Sequence, residues 1–111
     1  MPKLIFKFPD KTEIKYALYP DRLETTIGRT EDNKIALPHD SISKNHAVIR
    51  RVKGGYELVD RDSKNGIRGN NVSYLKTQLK QDVTYEIGDV ILTCLFSPLE
   101  IVNLAKESME L

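Results

Sequence analysis

Short runs in which apolar and polar residues alternate recur along this 111-residue chain, and few folds accommodate them. The first run covers residues 4–8 and the second residues 14–18, with a Pro9-Asp10 turn between them. A period of two is typical of strands that bury one face, and two such runs joined by a turn indicate an antiparallel hairpin. The many short runs, separated by turn residues, favour an all-β sandwich.

Later segments continue the pattern. We expect strands at residues 24–27, 35–37, 46–52, 56–60 and 67–72. Gly54-Gly55 predicts a tight hairpin between two of them. The run at residues 90–96 is apolar on both faces of a period-two pattern, so we expect a central strand that is covered on both sides.

The C-terminus allows two interpretations. Ser97-Pro98-Leu99-Glu100 matches a capping box with proline at the first helical position, which predicts a helix. Leu99 and Ile101 also fit a last strand beside the N-terminal one. We favour the strand, because the edge of the first strand would otherwise need protection. Residues 1–103 are then one domain, and residues 104–111 a tail or the start of a linker.

Composition excludes several classes of function. Lys and Arg total 17 against 16 Asp and Glu, so the net charge of +1 provides no field for nucleic acid or for an anionic membrane. Cys94 is the only cysteine, and with two histidines it makes a Cys/His zinc site implausible. We expect Cys94 in the core, and no run approaches the roughly 20 apolar residues of a membrane helix. The expectation is a cytoplasmic protein without metal or cofactor.

Two polar loops flank the hairpin of residues 46–60. One contains Ser43-Lys44-Asn45-His46 and the other Ser63-Lys64-Asn65-Gly66. Because they flank a pair of antiparallel strands, both loops can project from the same end of the β-structure. Such a cluster of hydroxyls, amides and lysines is typical of a binding surface.

These loops carry a resemblance to a known family. Gly28-Arg29, residues 43–47, residues 63–66 and Gly88-Asp89 resemble the motifs of the forkhead-associated (FHA) domain in order and spacing, over roughly residues 4 to 103. The resemblance implies a sandwich of two antiparallel sheets with about eleven strands. It also implies that loops at one end read phosphothreonine in a partner, without catalysis.

The resemblance gives Arg29, Ser43 and Lys44 the role of binding phosphate. A phosphate carries about −1.5 to −2 charges at neutral pH, and a guanidinium fork suits its oxygens. Lys44 keeps a positive charge but lacks the fork. From the residues alone, Arg29 could instead pair with Glu31 or Asp32, and Ser43 could satisfy its own turn.

The remaining site residues are expected to hold the peptide or the loops. Asn65 would contact the peptide backbone, since an amide both donates and accepts, with Lys64 and Ser41 beside it. His46 would brace the two loops rather than act as a catalyst or metal ligand. Gly28 and Gly66 would serve the same framework, with Gly66 in a turn of positive φ.

The predicted function is a phosphothreonine-binding module that acts in signalling or assembly. The expected partner is a threonine-phosphorylated protein, such as a Ser/Thr kinase or its substrate, and the module is expected to be a monomer. The alternative is an FHA-like assembly domain that binds independently of phosphate. It is suggested by Lys64 and Ile67, where the family frequently has threonine. We expect no enzymatic activity, because no paired carboxylates, nucleophile motif or Gly-rich phosphate loop is present.

Overall fold

The computed structural model describes residues 1–110 and contains eleven strands and one helix. The strands are β1 (Lys3–Lys7), β2 (Glu13–Ala17), β3 (Glu24–Gly28), β4 (Ile35–Ala36), β5 (Ala47–Val52), β6 (Gly55–Asp60), β7 (Ile67–Gly69), β8 (Val72–Tyr74), β9 (Lys76–Gln78), β10 (Thr84–Ile87) and β11 (Val90–Leu95). The helix α1 spans Pro98–Ser108. The all-β prediction is therefore confirmed up to residue 95.

The strands form two sheets. One has six strands in the order β2-β1-β11-β10-β7-β8, and the other has five in the order β4-β3-β5-β6-β9. Pairing is antiparallel except between β3 and the two-residue β4, which run parallel. The predicted sandwich of antiparallel sheets is thus confirmed, with this one short exception.

The core lies between the sheets and follows the period of two. In β1, Leu4 and Phe6 are fully buried, whereas Lys3 and Lys7 face solvent. Cys94 is also fully buried, and burial raises the pKa of its thiol to about 12. The predicted core position of Cys94 is confirmed, and at neutral pH its thiol is protonated and behaves as a small apolar group.

Strand β11 departs from the expectation in one respect. It is central, because it pairs with both β1 and β10. Its inner residues Val90, Leu92 and Cys94 are buried, but Ile91 on the outer face is 42% exposed. The prediction that both faces are covered is wrong, because an antiparallel sheet can leave one face in water even where its side chains are apolar.

The C-terminus forms a helix, and the expected last strand is wrong. The Ser97 side chain accepts a hydrogen bond from Glu100 N–H, while Glu100 accepts from Ser97 N–H, and Pro98 opens the helix. The edge of β1 needs no further strand, because β1 already lies between β2 and β11. With that edge covered, the local capping signal determines the structure.

Helix α1 is tied to the sandwich near its end. Arg51 of β5 donates two hydrogen bonds to the Glu107 carboxylate, at 3.0 and 2.6 Å. The helix runs across residue 103, where the sequence predicts the end of the domain, and continues to Ser108. Residue 111 of the predicted tail lies outside the described residues. Within residues 1–110, no helix is long and apolar enough to cross a membrane.

Candidate functional site

Three loops meet at one end of the sandwich. The first loop (residues 29–34) follows β3, the second loop (residues 37–46) precedes β5, and the third loop (residues 61–66) follows β6. Strands β3, β5 and β6 are antiparallel neighbours. The end of β3, the start of β5 and the end of β6 therefore lie at the same end of the sheet. The sheet itself therefore brings together the loops that the sequence singled out.

Arg29 is held against the second loop by its backbone and its side chain. Its N–H donates to Ser43 O at 3.0 Å, and its Nη1 donates to Ile42 O at 3.1 Å. Among residues 1–110, no carboxylate lies within the 4.0 Å of an ion pair with Arg29, so the alternative pairing with Glu31 or Asp32 is not adopted. A half-buried guanidinium fixed at one nitrogen keeps further N–H donors for an anion.

Ser43 connects all three loops through three different atoms. Its carbonyl accepts from Arg29, its N–H donates to His46 Nδ1 at 3.0 Å, and its Oγ accepts from Lys64 N–H at 3.0 Å. The hydroxyl contact reaches 21 positions along the chain, so it is not the local turn bond considered as the alternative. The hydroxyl proton has no acceptor in the described part of the chain and can be donated to a ligand.

His46 is fully buried between the second and third loops. Its Nδ1 accepts from Ser43 N–H, so its proton lies on Nε2, which donates to Gly66 O at 2.9 Å. Both ring nitrogens are therefore occupied by backbone groups. A histidine in this arrangement sets the distance between the two loops and has no free nitrogen for proton transfer or for a metal.

Gly28 stands where the first and second loops approach each other closely. A Cβ at this position would lie 2.0 Å from Lys44 O and 2.4 Å from Asn33 Nδ2. Asn33 is buried, and its Nδ2 donates to Lys44 O at 2.8 Å and to Thr30 O at 3.0 Å. Asn33 thus fixes the backbone at Lys44, a role that sequence reasoning missed because the residue reads only as a turn former.

The third loop presents Lys64 and Asn65. Asn65 is exposed, and its Nδ2 donates to Ser41 O at 2.8 Å, which leaves its amide oxygen without a donor within residues 1–110. Gly66 has φ of +71°, as the turn prediction requires. Ser63 bonds to Asp60 and accepts from Gly66 N–H at 2.9 Å, so the loop is closed on itself. These bonds of Asp60 and Ser63 also escaped sequence reasoning, although short polar side chains commonly make them.

Ser41 lies at the site, but its polar atoms are engaged. Its Oγ accepts from Asp89 N–H at 2.9 Å, and its carbonyl accepts from Asn65. A Cβ on Gly88, at φ of +56°, would lie 2.6 Å from Ser41 O, so the close approach requires glycine. Ser41 thereby joins the second loop to the β10–β11 turn, a bracing role that the sequence did not indicate.

The two departures from the family pattern have different positions. Ile67 is fully buried at the start of β7, where it pairs with Ile87 and Tyr74, so its side chain belongs to the core. The Lys64 side chain is exposed and makes no ion pair within residues 1–110, while its N–H holds Ser43. The backbone N–H of Lys64 thus makes the loop contact, which any residue except proline can supply.

The site is equipped to bind an anion through hydrogen-bond donors. The Arg29 guanidinium, the Ser43 hydroxyl and the exposed ammonium of Lys44 lie on adjoining loops. In the described part of the chain, no group of three or more His, Cys, Asp or Glu side chains is placed to hold a metal. The chemistry that these residues support is charge-assisted binding of an oxyanion.

Comparison with known proteins identifies the family. A family model described as FHA domain matches residues 25–92, more than half of the chain. A segment covering 64% of this chain is 33% identical over 71 residues to the oxoglutarate dehydrogenase inhibitor of Corynebacterium diphtheriae, and it spans 46% of that protein.

Solved structures agree. An FHA domain from a study of phosphothreonine-dependent FHA domain interactions superimposes with a TM-score of 0.74 and 25% identity, covering 86% of this chain and 98% of that one. The FHA domain of FhaA, solved in complex with the intracellular domain of Rv3910, superimposes with a TM-score of 0.71 and 25% identity. The match covers 83% of this chain and 99% of that one. Together with the two sheets and the loops at one end, these matches show that the chain belongs to the FHA domain family.

Proposed function

We propose that this domain binds a partner protein through a phosphothreonine. The observation that carries the proposal is the set of free donors on braced loops: Arg29, Ser43 and Lys44 stand together without carboxylate partners. Phosphate at neutral pH offers three acceptor oxygens and about −1.5 to −2 charges to such donors. Family membership supports the same ligand class, since FHA domains recognise phosphorylated motifs.

Each donor has a distinct part in the proposed complex. Arg29 supplies the permanently charged fork, Ser43 donates its hydroxyl proton, and Lys44 adds a mobile positive charge that salt screens more readily. Asn65 accepts from a backbone N–H of the peptide with its free amide oxygen, and Lys64 lies beside it. Because the loops are held by hydrogen bonds before a ligand arrives, little ordering is needed on binding.

The partner we propose is a threonine-phosphorylated protein, such as a Ser/Thr kinase or its substrate, bound by the domain as a cytoplasmic monomer. The FHA domain of FhaA was solved in complex with a protein partner, which supports a role in protein association. For a well-matched phosphopeptide we expect a Kd of about 1 μM, which is about −8 kcal/mol.

The decisive variant is Arg29→Ala, compared with Arg22→Ala as a control. Arg22 donates to the Tyr16 hydroxyl at 2.7 Å and, within residues 1–110, forms no hydrogen bond or ion pair with the three loops. By titration calorimetry with a phosphothreonine peptide, Arg29→Ala should weaken binding at least about 100-fold, because a charge-assisted bond contributes about 1.5–3 kcal/mol and two or more are lost. Arg22→Ala should bind as the wild type does.

The alternative function predicts a different result. If the domain assembles with its partner without reading phosphate, Arg29→Ala leaves partner association unchanged. Lys64, where the family frequently has threonine, is the feature that motivates this second candidate. Unchanged binding of the Arg29→Ala variant to both peptide and partner would favour it.

A further inference from the structure

A groove of about 520 Å³ lies outside the three loops, between the β1–β2 turn and the start of the second loop. Apolar side chains and a polar rim line it: Phe8, Ile14 and Pro38 on the apolar side, and Asp10, Glu13 and His39 on the rim. The lining includes two carboxylates and no lysine or arginine. None of the roles assigned to the phosphate site uses this groove.

The groove is at the same end of the sandwich as the phosphate site. Lys7 at the end of β1 pairs with Ile91, two residues beyond Asp89, and Asp89 N–H donates to Ser41 Oγ. The β1–β2 turn therefore lies beside the second loop. The Phe8 and His39 rings, 6.3 Å apart between centroids, make the direct contact between them.

The distance from the phosphate site is within reach of one peptide. Ile42 N–H donates to His39 O at 3.0 Å, which closes a turn. The Cα atoms of such a turn lie less than about 7 Å apart, so His39 is within about 11 Å of Ser43. An extended peptide advances about 3.3 Å per residue, so a chain anchored at Ser43 reaches the rim after about three residues and the apolar lining after about four to six.

The rim has a negative character that favours a basic ligand. Asp10 Oδ1 accepts from Thr12 N–H at 3.0 Å and Thr12 Oγ1 at 2.6 Å, and these hydrogen bonds lower the pKa of Asp10. Neither Asp10 nor Glu13 forms an ion pair within residues 1–110, although Lys7 is the register partner of Glu13. Two carboxylates that form no ion pair within residues 1–110 complement a lysine or an arginine.

His39 adds a donor for the peptide backbone. Its Nδ1 accepts from Ser41 N–H at 3.1 Å, so the neutral ring carries its proton on Nε2. Nε2 makes no hydrogen bond with any other described residue. A peptide carbonyl that crosses the rim can accept from it.

We propose that this groove binds a second segment of the phosphothreonine-bearing chain, four to six residues from the phosphothreonine. An apolar side chain of that segment contacts Phe8, Ile14 and Pro38, and an adjacent lysine or arginine meets Asp10 and Glu13. The inference rests on the proposed function, because the phosphothreonine anchors the chain that enters the groove. It extends that function by a specificity for an apolar residue next to a basic one.

The test uses a set of phosphothreonine peptides that share one short core of three residues on either side. The core is measured alone, and with a six-residue extension on either side that carries a Leu-Lys pair or a Leu-Glu pair. Fluorescence polarisation gives the Kd for the wild type and for Asp10→Asn/Glu13→Gln, which keeps the hydrogen-bond acceptor for Thr12. Asp21→Asn, which changes an exposed aspartate beyond the opposite end of β2, is the control for removing a negative charge away from the groove.

The Leu-Lys extension on one side should improve binding about three- to tenfold over the core, since exposed ion pairs and a part-buried leucine each contribute modestly. The Leu-Glu extension should not improve binding over the core. The Asp10→Asn/Glu13→Gln variant should lose the gain in affinity for the Leu-Lys peptide, whereas Asp21→Asn should retain it. If the core and all extended peptides bind with equal affinity, and core binding still depends on Arg29, the proposal for the groove is overturned while the proposed function stands. A core that binds no better than its unphosphorylated form would overturn the proposed function and the groove with it.

Discussion

At the scale of single residues, the loops of the candidate site are held by buried side chains. His46 uses both ring nitrogens to join Ser43 N–H to Gly66 O, and Asn33 holds the carbonyl of Lys44. The donors that face outwards are positioned by these buried amide and imidazole groups. Loss of a brace should therefore affect both stability and binding.

We expect His46→Ala to lower the free energy of unfolding by about 2–5 kcal/mol, because it leaves Ser43 N–H and Gly66 O without partners and opens a cavity. Urea denaturation measures the change. The control His39→Ala removes the half-buried histidine outside this network and should cost about 1 kcal/mol. Equal decreases in the free energy of unfolding for His46→Ala and His39→Ala would show that His46 is not a brace.

Glycines 28 and 66 should differ in their response to alanine. A Cβ at Gly28 overlaps Lys44 O, whereas a Cβ at Gly66 meets nothing within 4 Å and is opposed only by its φ of +71°. We expect Gly28→Ala to cost about 3 kcal/mol or more and to weaken phosphopeptide binding, and Gly66→Ala to cost about 1–2 kcal/mol. The urea midpoints of the two variants decide the order, and the reverse order would contradict this account of the loops.

Motif residues could be predicted singly, whereas their partners could not. Arg29, Ser43 and Asn65 are recognisable because their types and spacing match the family pattern. The bracing contacts of Asn33 with Lys44 and of Ser41 with Asp89 join positions whose proximity exists only after the sheets form, so no local pattern signals them.

At the scale of elements, helix α1 is the unexpected part. Its capping box holds the first turn, while Glu107 holds the last turn to Arg51 and to Gly54 N–H. The hydrogen bond from Arg51 lowers the pKa of Glu107. The ionised carboxylate is therefore the form that stabilises the docked helix.

The contribution of Glu107 should depend on pH. It is fully present above the ordinary glutamate pKa of about 4.3 and is lost as pH falls through the lower folded value. Glu107→Gln should therefore lower Tm at pH 7 and have little effect near pH 3, as measured by circular dichroism. Glu110→Gln is the control, because that side chain makes no hydrogen bond to another described residue. If Glu107→Gln lowers Tm by the same amount at both pH values, the ionised pair with Arg51 is ruled out as the cause.

The elements also show where sequence patterns are sufficient. Strand and turn positions follow from local alternation and from glycine or proline, so eight of the eleven strands could be located approximately. Residues 97–108 fit two structures equally well locally, and the choice depends on whether β1 already has two neighbours. The neighbours of β1 are set by the order of strands in the sheet, which the sequence around residues 97–108 does not show.

At the scale of the whole molecule, the two sheets form the scaffold and the candidate site lies in the loops at one end of it. The net charge is only +1, so under the proposed function the attraction for a phosphate comes from the local placement of Arg29 and Lys44 rather than from a general field. Two sheets that share one core present this grouping at one end, and α1 contacts β5 through Arg51. The alternation of residues predicted this sandwich well, because burial of one strand face is a local property that the whole fold preserves.

The central claim is that the domain distinguishes a phosphothreonine from its unmodified form. Fluorescence polarisation with the wild-type protein and three peptides of identical sequence, carrying phosphothreonine, phosphoserine or threonine, tests it most directly. We predict a Kd of about 1 μM for phosphothreonine, weaker binding of phosphoserine and no measurable binding of threonine. Equal binding of all three peptides would contradict the claim.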